Sequence, residues 1–126
     1  MNNSVLAAMV VAELLVSGAF ERIAGTASAR LADRRRALLS ALDPSLLPHR
    51  EPTGGFFVWM RVPNGVTSTE FVTAARSAGV KVADGRPFFA DTPSGEFVRA
   101  SFSMLPEPDL RAGGAILTDL ARRLTP

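Results

Sequence analysis

Phe56-Phe57-Val58-Trp59-Met60-Arg61-Val62 alternates strictly from one residue to the next. Phe56, Val58, Met60 and Val62 share one face, and Phe57, Trp59 and Arg61 share the other. This is the two-residue period of a β-strand. Pro63-Asn64-Gly65 turns the chain behind it. A second run of this kind is Gly95-Glu96-Phe97-Val98-Arg99-Ala100-Ser101-Phe102-Ser103. There Val98, Ala100 and Phe102 point one way, and Phe97, Arg99 and Ser101 the other.

Between the two strands, Thr67-Ser68-Thr69-Glu70 fits a capping box. A helix follows to about Ala78, with Phe71, Ala74, Ala75 and Ala78 inward, and Gly79 ends it. Val80 to Ala83 reads as a short strand, and Asp84-Gly85-Arg86-Pro87 as a turn into Phe88-Phe89. Pro106 and Pro108 open a last helix to about Leu124, whose apolar face is Leu110, Leu117, Leu120 and Leu124. Gly113-Gly114 inside it costs roughly 1 kcal/mol per glycine against alanine. Close packing against the sheet is the expected compensation.

Upstream, Ser4 caps a helix running to Val16, and Gly18 ends it. It is apolar nearly all round, so it is expected to be buried on more than one side, against another chain or a further domain. A longer helix runs from about Ala19 to Leu42, with Phe20, Ile23, Ala27, Leu31, Leu38 and Leu42 in one stripe. Arg34, Arg35 and Arg36 lie mostly off it, on an expected solvated face. Asp43-Pro44 stops this helix, and Ser45 to Gly55 is a connector. The resulting class is α+β: a small, mostly antiparallel sheet of three or four strands with helices on one face, preceded by a long linking helix. The expected organisation is one domain over residues 1–126, with the two helices in 1–42 and the α+β unit in 43–126.

Composition narrows the function. The 126 residues are 47% hydrophobic and 21% charged, as in an ordinary globule. Cysteine is absent, which excludes disulfides and thiolate metal sites. No zinc or calcium ligand spacing occurs, so no metal is expected. The net charge of +2 gives little support for a nucleic-acid partner. Val5 to Val16 is shorter than the ~20 residues that span a bilayer. No Lys or Arg precedes it as in a secretory signal. No membrane partner and a cytoplasmic location are expected. His49, the only histidine, sits in the connector with no triad partner in view and reads as a surface residue.

Arg99 is the candidate functional residue. An arginine in an apolar strand needs an anionic partner, because a buried unpaired charge is costly. Its planar fork suits a carboxylate held by two parallel N–H donors. That carboxylate belongs either to an Asp or Glu of this chain or to a ligand. Gly54 and Gly55 read either as a tight turn before the strand or as a close approach of backbone to ligand. Phe88 reads either as core or as an apolar pocket wall.

Four blocks together carry a resemblance. Leu31-Ala32-Asp33-Arg34-Arg35-Arg36-Ala37-Leu38-Leu39 ends the linking helix. Glu51-Pro52-Thr53-Gly54-Gly55-Phe56-Phe57-Val58-Trp59 enters the first strand. The others are Gly79-Val80-Lys81-Val82-Ala83-Asp84-Gly85-Arg86-Pro87-Phe88 and Val98-Arg99-Ala100-Ser101-Phe102-Ser103. From about Leu6 onward the chain resembles the C-terminal small domain of fold-type I, class I/II pyridoxal-phosphate aminotransferases, and the aminotransferase-like half of related regulators.

The resemblance implies that Arg99 grips a substrate α-carboxylate, with Gly54, Gly55 and Phe88 as pocket lining. It implies an amino acid or 2-oxo acid as substrate and a homodimer or a separate large domain as partner. The family's Schiff-base lysine precedes the matched part. Lys81, the only lysine here, does not match it. The chain is therefore expected to carry no catalytic residue, to be inactive alone, and not to bind pyridoxal phosphate by itself. Two other readings stand beside this one: an amino-acid- or carboxylate-sensing module of a regulator, and a non-catalytic interaction domain.

Overall fold

A computed structural model describes residues 4–48 and 50–125. His49 lies outside the described residues. The chain forms two compact units, one up to Arg30 and one from Leu31 onward. The division falls inside the linking helix.

The first unit holds α1 (Val5–Val16) and the N-terminal half of α2 (Ala19–Leu39). The Ser4 side chain accepts from the Ala7 amide and caps α1. Gly18 takes a φ of 67°, the left-handed region that glycine enters at least cost. Cover for α1 is expected from another chain or a further domain, and within this chain the helix buries none of its residues. Its apolar surface is too evenly spread around the axis to be covered from one side.

The second unit is built on three antiparallel strands: β1 (Phe57–Arg61), β2 (Ala83–Asp84) and β3 (Phe97–Ser101). The order is β1-β3-β2, which makes β3 the centre. Trp59 pairs with Arg99 on one side of β3, and Ala83 pairs with Arg99 on the other. Strand β2 begins later than the sequence suggests. Val80 is drawn off by the end of α3 (Ser68–Ser77), where its amide donates to the Ala75 carbonyl.

One face of the sheet is the core. Val58, Met60, Val98, Ala100 and Phe102 pack there with Phe71 and Ala75 of α3 and with Leu110, Leu117, Leu120 and Ala121 of α4 (Glu107–Leu124). Ala37 and Leu38 close it from α2. Each large apolar side chain fully buried there contributes about 1.5–3 kcal/mol relative to exposure. Helices α3 and α4 and the end of α2 lie on one face and the strands are all antiparallel, as the alternation predicts.

Two expectations are corrected. The arginines of α2 are not a solvated face: Arg34 donates to the Ser103 carbonyl and Arg35 to the Pro52 carbonyl at 2.7 Å. They tie the helix to the loops after β3 and before β1, and of the three consecutive arginines Arg34, Arg35 and Arg36 only Arg36 is exposed, paired with Asp33. The close packing at Gly114 is against the end of α2 and not the sheet. A Cβ there would lie 2.9 Å from the Ala41 Cβ and 3.1 Å from the Leu38 carbonyl oxygen. Gly113 faces open space.

Candidate functional site

The other face of the sheet carries the polar and aromatic half of the alternation. Phe57, Trp59 and Arg61 on β1 stand opposite Ser101, Arg99 and Phe97 on β3. Arg99 is thus in the middle of the central strand, half-buried, with a neighbour on each flank. Its Cζ lies 4.0 Å from the centroid of the Phe57 ring and 4.2 Å from that of Phe88. Such contacts are worth roughly 0.5–1 kcal/mol each at exposed sites. Among the described residues, no Asp or Glu forms an ion pair with Arg99; the ion pairs found join other groups. The intramolecular salt bridge that the sequence left open is therefore not what holds this side chain.

Phe88 arrives by a specific route. It ends a single 3-10 turn, Arg86–Phe88, directly after β2. Behind it the Trp59 ring meets it edge to face at 6.0 Å, and Trp59 itself stacks on Phe97 at 5.7 Å. Phe89 tilts against both Trp59 and Phe97. Edge-to-face and offset arrangements are those that aromatic quadrupoles favour. Phe88 is 52% exposed and belongs to this outer cluster, not to the core.

A polar knot sets the turn. The Asp84 carboxylate accepts from Arg86 Nη2 at 2.7 Å and from Ser68 Oγ at 2.9 Å. Arg86 also donates to Thr69. Glu96 accepts from the Ser68 amide at 2.6 Å, at the N-terminus of α3, where a helix favours negative charge. The Arg86 hydrogen bond holds Asp84 well below the ordinary carboxylate range, and the Ser68 amide lowers Glu96. Thr67 and Glu70 complete the capping box: Thr67 Oγ1 accepts from the Glu70 amide, and the Thr67 amide donates to Glu70 at 2.9 Å.

Gly85 completes the turn by proximity. Its amide donates to the Phe97 carbonyl at 2.8 Å, and a Cβ would lie 2.5 Å from that oxygen. Sequence reading places Gly85 in a turn but not against a strand. Sequence reading places Phe57 on the Trp59 face of its own strand and gives it no role. The register that brings its ring to Arg99 is a property of strand pairing, which no local pattern states.

Gly54 and Gly55 sit just before β1, and Gly55 has a φ of 77°. The space around both is open. The following Phe56 carbonyl accepts from the Phe102 amide at 3.0 Å, which anchors that end of β1. Of the four residues singled out from the sequence, Arg99 and Phe88 touch.

Lys81 stands elsewhere. It is exposed and lines a groove of about 430 Å³ with Val80, Leu110, Gly113, Ile116 and Leu117, against α4. Among the described residues no group of three or more His, Cys, Asp or Glu could hold a metal ion, and no helix is long and apolar enough to cross a membrane.

Comparison with known proteins gives this geometry its setting. A 2-aminoadipate transaminase of Thermus thermophilus is 32% identical over 108 residues, covering 83% of this chain and 27% of that protein. A Bacillus subtilis protein named as an uncharacterized HTH-type transcriptional regulator is 29% identical over 128 residues, covering 96% of this chain and 26% of its own length. The crystal structure of the alpha-aminoadipate aminotransferase of Thermus thermophilus, complexed with N-(5'-phosphopyridoxyl)-L-leucine, superposes with a TM-score of 0.77 at 30% identity. It covers 92% of this chain and 30% of that one. The chain thus spans about a quarter of the length of the curated relatives it matches. The pattern of the family described as aminotransferase class I and II runs through residues 2–113, both outer strands and the Arg99 face included, and to that family this chain belongs.

Proposed function

We propose that this chain is the small domain of a class I/II aminotransferase and that Arg99 binds the α-carboxylate of an amino acid or 2-oxo acid. The observation that carries the reading is a guanidinium at the centre of the sheet with no carboxylate partner among the described residues and two aromatic rings against it. Such a fork accepts a carboxylate through two parallel hydrogen bonds. The open glycine turn at Gly54-Gly55 and the half-exposed Phe88 wall would border the ligand.

Pyridoxal phosphate supplies the family's electron sink when bound. The residues of this chain do not fit a site for it. A lysine would have to face the carboxylate anchor, and Lys81 lines the groove against α4 instead. The chain's own contribution is recognition and orientation of the acid. Chemistry would need a large domain, in a longer protein or from a partner chain, and a second protomer is the expected companion.

Calorimetric titration with L-leucine or its 2-oxo acid tests this reading. Heat of binding in the wild type and none in Arg99→Ala supports it. Equal heat in both overturns it. Pyridoxal phosphate followed by borohydride and peptide mapping is expected to leave Lys81 without specific label. Stoichiometric label there would reverse the assignment.

The likeness to the Bacillus subtilis regulator favours a second reading, an amino-acid-sensing module. It differs in one outcome: ligand binding would change the affinity of an attached DNA-binding segment, with no turnover.

A further inference from the structure

A guanidinium has two kinds of surface. Its five N–H bonds lie in its plane, and its two faces carry none. Aromatic rings take the faces, while oxyanions take the edge. At Arg99, Phe57 of β1 and Phe88 of the turn after β2 both reach the guanidinium, with ring centroids 4.0 and 4.2 Å from Cζ. Neither ring is loosely placed. Phe56 meets Phe57 edge to face at 6.4 Å, and Trp59 does the same to Phe88 at 6.0 Å. The turn that carries Phe88 is fastened by the Asp84–Arg86 pair and by the Gly85 amide on Phe97.

We infer that Phe57 and Phe88 are positioning residues for Arg99: by occupying its faces they leave only the in-plane N–H edge to a ligand and so select a planar carboxylate over a tetrahedral oxyanion. The inference rests on the carboxylate-binding reading of Arg99 and adds to it the source of discrimination. A carboxylate is flat and lies in the plane of the fork with both oxygens bonded. A phosphate that gives two oxygens to the fork keeps its other two above and below that plane, where the rings stand. An unflanked arginine would discriminate in the opposite sense, because phosphate carries the larger charge near neutral pH.

The test uses sodium propionate and inorganic phosphate as probes, followed by the NMR shifts of the Arg99 Nε–H and of the amides of residues 59 and 99. Phe57 is 41% and Phe88 52% exposed, so leucine at either position leaves the core intact. Phe57→Leu and Phe88→Leu are expected to lower the propionate-to-phosphate affinity ratio roughly two- to fivefold each, the scale of one exposed cation–π contact. Phe88→Tyr, which keeps the ring face, retains the wild-type ratio. A structural role alone would not move a ratio. An unchanged ratio in both leucine variants, with propionate binding lost in Arg99→Ala, overturns the flanking-ring inference and leaves the anchor standing. Propionate shifts that persist in Arg99→Ala, or none in the wild type at ~100 mM, overturn the anchor itself and this inference with it.

Discussion

Arg99 on β3 and Gly85 just after the neighbouring β2 matter for opposite reasons, one for what its side chain offers and the other for having none. The Phe97 carbonyl lies so near Gly85 that a methyl group there must displace backbone. Gly85→Ala is therefore expected to cost about 1–3 kcal/mol, the range for overpacking. It should also shift the NMR resonances of Phe88 and Arg99, since the turn carries that ring. A denaturant titration and a proton–nitrogen correlation spectrum check both parts. Arg99 was legible in the sequence because a charge inside an alternating apolar strand is conspicuous. Gly85 and Phe57 were not, because their importance comes from atoms twelve and forty-two residues away in the chain, Phe97 and Arg99. Phe88 was legible only as an alternative, core or wall, and its exposure speaks against the core.

At the scale of elements, the two central glycines of α4 offer an internal control. Gly113→Ala gains helix propensity with nothing in its way and is expected to stabilise by about 1 kcal/mol. Gly114→Ala gains the same propensity but drives a methyl against Ala41 and the Leu38 carbonyl. Overpacking of about 1–3 kcal/mol outweighs the gain, so a net loss is expected in the same thermal melts.

The knot around the start of α3 titrates. Asp84 and Glu96 are lowered in the folded protein from ordinary values of 3.8 and 4.5. The unfolded chain therefore binds their protons first, and stability rises with pH across this window. The contribution is complete above about pH 5, begins to be lost as pH falls below 4.5 and then 3.8, and goes on falling toward the lowered folded-state values at more acid pH. Melting temperature should fall steeply over that range, and Asp84→Asn should flatten the slope. The α3 capping box and the faces of β1 and β3 were legible because each is a local pattern. The start of β2 and the clamps made by Arg34 and Arg35 were not, because loop carbonyls that accept from a helix leave no trace in periodicity.

Across the whole molecule, the two units differ in how they meet water. The unit from Leu31 onward closes a core, whereas α1 leaves Val5, Leu6, Met9, Val10, Val11, Leu15 and Val16 each more than half exposed. Contiguous apolar surface of this kind marks an interaction site. Val10→Lys with Leu15→Lys is expected to abolish any concentration dependence of the sedimentation coefficient while leaving the melting of the second unit unchanged. Persistent self-association in the double variant would move the contact elsewhere. The sequence announced this helix as one that wants cover, and its even apolar coat explains why a chain of this size does not provide it.

Trp59 is the only indole in the chain, and it sits across the ladder from Arg99 with Phe88 against its ring. With no tyrosine present either, emission excited at long ultraviolet wavelengths comes from this single chromophore. A ligand that reorders the charge and rings beside it should move its intensity or wavelength. The protein thus carries a label-free optical probe beside the proposed carboxylate anchor, which brings a test of its binding chemistry within reach of a cuvette.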